Sequence, residues 1–149
     1  MVDQRLTDER LAHLLDLLHV EPVGDHTFSG DTAAEGERPV FGGQVAGQAL
    51  RAASMTVELD HQVNSLHAYF LRPGRYGLPI SYVVDCIRDG TSFTTRRVTA
   101  KQNGEAILNL DASFHRDEPG DDQQPTSAVD QVDPPESGQV PDRPPWARF

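Results

Sequence analysis

The sequence predicts an α+β fold in which a curved antiparallel sheet surrounds one central helix. A helical spacing of apolar and small side chains ends near residue 57, and an alternation with a period of two begins at residue 63. Turn residues separate the alternating segments, and Asn103-Gly104 is the strongest hairpin signal among them. Several long strands that follow a single central helix are typical of antiparallel pairing.

Two segments have helical periodicity. In residues 7–18, four leucines recur at the spacing that places them on one helix face: Leu11, Leu14, Leu15 and Leu18. In residues 43–57 the side chains that share a face are mostly small, and Gly47 in a helix interior costs about 1 kcal/mol relative to alanine. We therefore expect the second helix to be buried, with a sheet or a ligand close to its backbone.

The strands follow from alternation and from turn residues. A short strand is predicted around His26–Ser29, and a loop over residues 30–39. The longer alternating segments are 63–70, 80–87, 92–102 and 105–115.

Composition separates a domain from a tail. Residues 117–149 contain eight acidic residues and two arginines, a net charge of −6 out of −10 for the whole chain. Few apolar side chains in this proline-rich segment could offset the entropy lost on ordering it. We assign residues 1–116 to the folded domain and residues 117–149 to an acidic linker or disordered tail.

Charge and cysteine content exclude several classes of function. An acidic chain is poorly suited to bind nucleic acid or an anionic membrane, because phosphates are neutralised by cations. The single cysteine, Cys86, excludes an internal disulfide, and no signal peptide or membrane-spanning stretch is visible. The histidines lack metal-ligand spacing. We expect a cytoplasmic protein without a metal or a cofactor.

Five motifs follow one another along the chain: VFGGQVAGQAL (40–50), LHAYFLRPG (66–74), RDGTSF (88–93), RRV with QNG (96–98 and 102–104), and ASF (112–114). In this order they resemble the acyl-CoA thioesterase II family. The resemblance covers about residues 10–116 and implies a hotdog fold for the domain. Members of this family usually contain two hotdog repeats, and this chain is similar to the first repeat and the start of the linker.

The resemblance implies that the protein hydrolyses acyl-CoA to a free acid and coenzyme A. This reaction would place it in fatty acid metabolism. This reaction needs a positioned water, a base and donors for the oxyanion. Gly42, Gly43 and Gln44 open the second helix, where free N–H groups and the positive end of the dipole converge. We expect the thioester carbonyl to bind there, and tight packing of helix against sheet is the alternative explanation for the glycines.

We expect the family's usual catalytic set to be absent from residues 1–149. The resemblance places the water-orienting Asp, Thr or Ser, and Gln in the second repeat, and these residues resemble only the first. The remaining catalytic candidates are His67 and Gln44. The family often carries His-Ser-x-His on the strand of His67, but this chain has Asn64 at the first of those histidine positions. A structural role is therefore the alternative for His67.

Local positive charge is expected around the phosphates of coenzyme A. Residues 72–101 contain six basic and two acidic residues, a net charge of +4 on an otherwise acidic chain. Ordinary solvated strand faces would explain the same charges. The substrate-binding candidates are Gly42, Gly43, Gly47, Arg72, Arg88 and Arg96.

Three functions are compatible with these residues. The first is an acyl-CoA thioesterase, and the second is a non-catalytic acyl-CoA-binding half that needs another hotdog subunit. The third, a hotdog hydratase, is disfavoured because no suitable Asp/His pair is visible. Exposed sheet edges are usually covered by a partner. We therefore expect a homodimer joined edge to edge, or pairing with another hotdog domain.

Limited proteolysis should remove the tail and leave a folded core that ends near Arg116. The reason is that residues 117–145 cannot bury enough apolar surface to become ordered. Mass spectrometry of the digest identifies the boundary. Protection of this segment would instead show that it docks onto the domain, with Trp146 as the candidate contact.

Overall fold

The computed structural model describes residues 4–33, 39–121 and 123. Most of the predicted tail, residues 124–149, and part of the predicted loop, residues 34–38, lie outside the described residues. Within the described ranges the chain forms two helices, α1 (Gln4–Leu17) and α2 (Gly42–Ser54), and six strands. The strands are β1 (Glu21–Gly24), β2 (Thr27–Gly30), β3 (His61–Phe70), β4 (Ile80–Asp89), β5 (Phe93–Gln102) and β6 (Glu105–Arg116).

All six strands join one antiparallel sheet in the order β1-β2-β4-β5-β6-β3. The predicted hairpin is confirmed, because Gln102 pairs with Glu105 across the turn. Asn103 and Gly104 both have positive φ, 50° and 83°, as a two-residue hairpin turn requires. Strand β1 was not predicted from the sequence. It is short, exposed and contains a proline, so it lacks the alternation that marks the other strands.

Helix α2 packs against the sheet and supplies one side of the hydrophobic core. Its buried apolar residues are Val45, Ala49, Ala52 and Ala53, and they face buried sheet residues that include Tyr82, Val98, Leu108 and Leu110. Small side chains let the helix lie close to the sheet, so the predicted burial of this helix is confirmed. Each fully buried Val or Leu contributes roughly 1.5–3 kcal/mol.

The two ends of α2 differ from the prediction of residues 43–57. The helix begins one residue earlier, at Gly42, and ends at Ser54. The backbone carbonyl and the hydroxyl of Thr56 both accept hydrogen bonds from the side chain of Arg96, at 2.9 and 2.8 Å. This contact with β5 holds the chain in a turn where the helical pattern would otherwise continue.

A buried amide fixes α2 to three other segments. The side chain of Gln48 is fully buried, and its Nε2 donates to the carbonyls of Leu17, at 2.7 Å, and Asp31, at 3.0 Å. The hydroxyl of Tyr82 donates to Gln48 Oε1 at 2.6 Å. A Cβ on Gly30 would lie 2.6 Å from the same oxygen, so glycine is needed there to leave room for the amide.

Helix α1 has the apolar face that the leucine spacing predicts. Leu11, Leu14 and Leu15 are nevertheless 50–61% exposed, so the described residues do not cover this face. The leucine that does pack closely is Leu18, whose Cδ2 would lie 2.6 Å from a Cβ on Gly47. The close neighbour of Gly47 is therefore a side chain that follows α1, and not the sheet that the sequence led us to expect there.

Replacing Tyr82 with phenylalanine should lower the free energy of unfolding by about 1–3 kcal/mol at neutral pH, because Gln48 Oε1 would lose its buried donor. Burial raises the pKa of Tyr82, so the unfolded chain ionises at lower pH than the folded protein. The wild type should therefore lose stability above about pH 10, and Tyr82→Phe should lack that part of the loss.

Urea denaturation at neutral pH and at about pH 11 measures both effects. Tyr69→Phe is the matched control, because Tyr69 is 64% exposed and should change little. Equal stability of the two variants at neutral pH would contradict a structural role for the Gln48 amide.

Candidate functional site

An apolar cleft of about 340 Å³ opens at the N-terminal end of α2. Its walls are the first turn of the helix, with Gly42 and Val45, the end of β3 at Phe70, and Ile107 of β6. The turn Arg72–Gly74 completes the lining. Two sequence motifs that are distant in the chain, residues 40–50 and 66–74, therefore meet at one cleft.

A β-bulge in the sheet positions these walls. The pairing of β5 with β6 shifts between Ala100 and Lys101, which leaves Ile107 without a partner on β5. Its carbonyl oxygen instead accepts hydrogen bonds from the N–H groups of Leu71 and Arg72, at 2.9 and 3.3 Å. Bulges commonly turn side chains toward functional sites. Here the bulge anchors the turn that carries Arg72 beside the helix.

The N-terminus of α2 has amide groups available for a ligand. Phe41 is the N-cap residue and makes no side-chain cap, and its carbonyl accepts from the N–H of Gln44 at 3.0 Å. Among the described residues, the N–H groups of Gly42 and Gly43 have no acceptor. Together with the positive end of the helix dipole, they could stabilise a developing negative charge.

Two aromatic rings lie against these glycines. A Cβ on Gly42 would lie 2.8 Å from the ring of Phe70, and a Cβ on Gly43 would overlap the ring of Phe41. Both rings are largely exposed, at 61% and 73%. At Gly42 the close neighbour is Phe70 of the sheet, and at Gly43 it is the N-cap residue Phe41, so aromatic side chains pack closely at both glycines. Phe41 and Phe70 were not singled out in the sequence, because exposed phenylalanines have no chemical signature.

Gln44 and Gly47 of α2 make contacts within the protein. The side chain of Gln44 is mostly buried, and its Nε2 donates to the carbonyl of Asp31 at 3.1 Å. Gly47 faces Leu18. Neither residue lines the apolar cleft. Of the predicted substrate-binding residues, the structure brings Gly42, Gly43 and Arg72 together at the N-terminal end of the helix.

Arg96 lies at the C-terminal end of α2. That end is about 18 Å from Gly42 along the helix axis. It is 3% exposed, and all five of its N–H groups are used. They donate to Thr56, to the carbonyls of Arg88 and Thr95, and to the carboxylate of Asp89. Arg88 is exposed at the same end of the sheet. The structure therefore does not bring Arg88 or Arg96 together with Gly42.

His67 faces away from the helix. Its neighbour Ala68 pairs with the fully buried Leu110, so alternation directs His67 to the outer face of the sheet. There it lies opposite Asp111, and its ring centroid is 4.6 Å from that of Tyr69. The sheet itself separates His67 from the amides at the start of α2.

A separate cleft of about 470 Å³ lies near the C-terminal end of α2 and contains His61. The side chain of His61 is 5% exposed, and its Nδ1 lies 2.9 Å from a carboxylate oxygen of Asp60. Its Nε2 is buried without a hydrogen-bond partner in the described part of the chain. The hydrogen bond from His61 holds the pKa of the Asp60 carboxyl below its usual range, and the hydrogen bond and positive charge of Arg116 lower it further.

Comparisons of sequence and of fold place the chain in a known class of proteins. Residues 29–115 match the family described as the acyl-CoA thioesterase N-terminal domain, and the chain belongs to this family. Human acyl-coenzyme A thioesterase 8 is 40% identical over 129 residues, which are 87% of this chain and 40% of the relative. Acyl-CoA thioesterase 2 of Haemophilus influenzae is 41% identical over 116 residues, 78% of this chain and 41% of the relative.

Solved structures support the same assignment. The acyl-CoA thioesterase II TesB2 from Mycobacterium marinum superposes with a TM-score of 0.68 and 40% identity, over 75% of this chain and 41% of that one. The Escherichia coli PaaI protein has a TM-score of 0.57 at 14% identity, which is a likeness of fold alone. The predicted hotdog fold is confirmed. The chain spans about two-fifths of the length of the curated relatives named above.

Within the described residues, no helix combines the length and the apolar character that crossing a bilayer requires.

Proposed function

We propose that this domain binds fatty acyl-CoA at the N-terminal end of α2 and takes part in its hydrolysis to a free acid and coenzyme A. The observation that carries the proposal is the apolar cleft in which two family motifs meet beside the amides of Gly42 and Gly43. We place this activity in the fatty acid metabolism of the cytoplasm, where a chain with a single cysteine needs no disulfide.

The cleft supports two parts of the reaction. The apolar side chains of Val45, Phe70 and Ile107 would hold the acyl chain, and the glycine amides would donate to the thioester oxygen. One well-placed oxyanion donor lowers the barrier by roughly 3 kcal/mol. These groups bind and polarise the thioester but do not activate water.

The base for the attacking water is the part that the described cleft lacks. Its lining contains neither a carboxylate nor a histidine among the described residues. His67 lies on the other face of the sheet, so we propose a structural role for it. We propose that the base comes from a second hotdog domain, which makes a non-catalytic acyl-CoA-binding half the second candidate function.

The long sheet edge at β3 is the surface proposed for pairing. Strand β3 has ten residues, and among the described strands only β6 pairs with it, so one side of its backbone is open in the part of the chain that the structure describes. Its exposed apolar side chains are Val63, Leu66, Tyr69 and Phe70. Phe70 also lines the apolar cleft, so a partner joined at this edge would lie next to the bound thioester. We propose a homodimer, or pairing with another hotdog domain, at β3.

The purified chain should bind medium- or long-chain acyl-CoA but hydrolyse it slowly, because loss of a general base typically costs 10²–10⁴ in rate. Gly43→Val should abolish binding, since the added side chain would fill the space between the helix and the thioester. Calorimetric titration measures binding, and release of free thiol measures turnover. Gly120→Val is the matched control, because a Cβ there meets no atom of the described residues within 4 Å.

His67→Ala should affect both quantities less than Gly43→Val does. Fast hydrolysis that is lost specifically in His67→Ala would make His67 the base and contradict the proposed mechanism. An absence of binding to any acyl-CoA would leave only a scaffold function.

Light scattering at tens of micromolar should show a dimer for the wild type and a monomer for Leu66→Glu, because the new charge would be buried in the β3 interface. Val23→Glu is the matched control. Val23 is 62% exposed and lies on β1, at the opposite edge of the sheet. A monomeric wild type, or dissociation by the β1 variant alone, would disprove pairing at β3.

A further inference from the structure

We propose that Arg72 and Arg75 bind the phosphate groups of the ligand's nucleotide portion at the turn between β5 and β6. This inference rests on the proposed function, since it concerns the other end of the same acyl-CoA molecule. It assigns the anionic end of the ligand to Arg75, in place of Arg88 and Arg96, which lie at the far end of the sheet.

The proposed phosphate site is a second cleft, with a volume of about 210 Å³, that adjoins the apolar one. Arg72, Pro73 and Ile107 line both clefts, so the two are contiguous. Arg75 and the β5–β6 turn contribute only to the second cleft. A ligand with its acyl end beside Gly42 could therefore place a polar extension beside the two arginines.

Both arginines have hydrogen-bond donors available. Arg72 uses Nη1 to donate to the carbonyl of Ala106 at 2.8 Å, which orients its guanidinium and leaves its other N–H groups without an acceptor among the described residues. The guanidinium of Arg75 also has no partner in the described ranges. By contrast, Arg97 is paired with Asp111 and Arg116 with Asp60. Two guanidinium groups in one cleft that have no carboxylate partner among the described residues suit a phosphate, which accepts several charge-assisted hydrogen bonds.

A buried glutamine holds the backbone of Arg75 in place. Gln102 is 7% exposed, and its Oε1 accepts from the N–H of Arg75 at 2.8 Å. Its Nε2 donates to the carbonyls of Arg75, at 2.9 Å, and Leu78, at 3.0 Å. The loop that carries Arg75 is thus fixed before a ligand arrives, which lowers the entropy cost of binding.

Glu105 lines the same cleft and opposes an anion. With two arginines and one carboxylate, the lining has a net charge of +1. Neutralising this carboxylate should strengthen phosphate binding, whereas removal of an arginine should weaken it. The two kinds of variant therefore have opposite expected effects on affinity.

The test compares the affinities of the full chain for an acyl-CoA and for the matching acyl-pantetheine, which has the same thioester without phosphates. Arg75→Gln should weaken acyl-CoA binding by about 10- to 100-fold, as expected for loss of a charged hydrogen-bonding group, and leave acyl-pantetheine unchanged. It should also reduce the dependence of acyl-CoA affinity on salt concentration. Arg75→Lys should retain part of the affinity, and Glu105→Gln should increase it.

Arg51→Gln is the control, because Arg51 is an exposed arginine outside both clefts and should have no effect. Equal loss of both ligands in Arg75→Gln would show a structural role and overturn the inference. So would unchanged acyl-CoA affinity, or a loss that appears in Arg88→Gln instead. If the wild type binds both thioesters equally, the phosphate site is wrong while the proposed function stands. If it binds neither, both fail.

Discussion

The position of α2 depends on one buried amide. Gln48 lies where a polar group must be fully hydrogen-bonded to be tolerated, and its partners belong to three segments that are distant in sequence. Leu17 ends α1, Asp31 follows β2, and Tyr82 lies in β4. Saturating this amide therefore fixes the helix against the sheet and against both preceding segments. The amides of Gly42 and Gly43 are held at the cleft by the same constraint.

The parts of the fold that local patterns encode were predictable from the sequence. Alternation marks the four long strands, and Asn103-Gly104 demands a tight hairpin because both residues have positive φ. Strand β1 escaped prediction because its four residues are all exposed, include a proline and show no alternation. The end of α2 was placed too late for a different reason, because a tertiary contact sets it. Arg96 binds Thr56 across 40 positions of sequence, and no helical period records that contact.

The candidate site was predictable in part. Gly42, Gly43 and Arg72 belong to two motifs that meet at one cleft, whereas Arg88 and Arg96 belong to the opposite end of the sheet. A strand of ten residues is roughly 33 Å long, so a basic segment of sequence need not be a basic patch in space. For His67 a signal was available. It alternates with Ala68, and the apolar alternation already assigns Ala68 to the core face.

The two edges of the sheet are unequal, and this difference bears on the symmetry of any assembly. Strand β3 offers ten residues, whereas β1 offers four, with a register shift between Pro22 and Gly24. A proline has no N–H to donate to another strand. A two-fold axis through β3 would use the only long edge among the described strands of both molecules at once. Under the proposed pairing at β3, growth by strand addition would stop at two subunits, which would give a closed pair and not an open fibre.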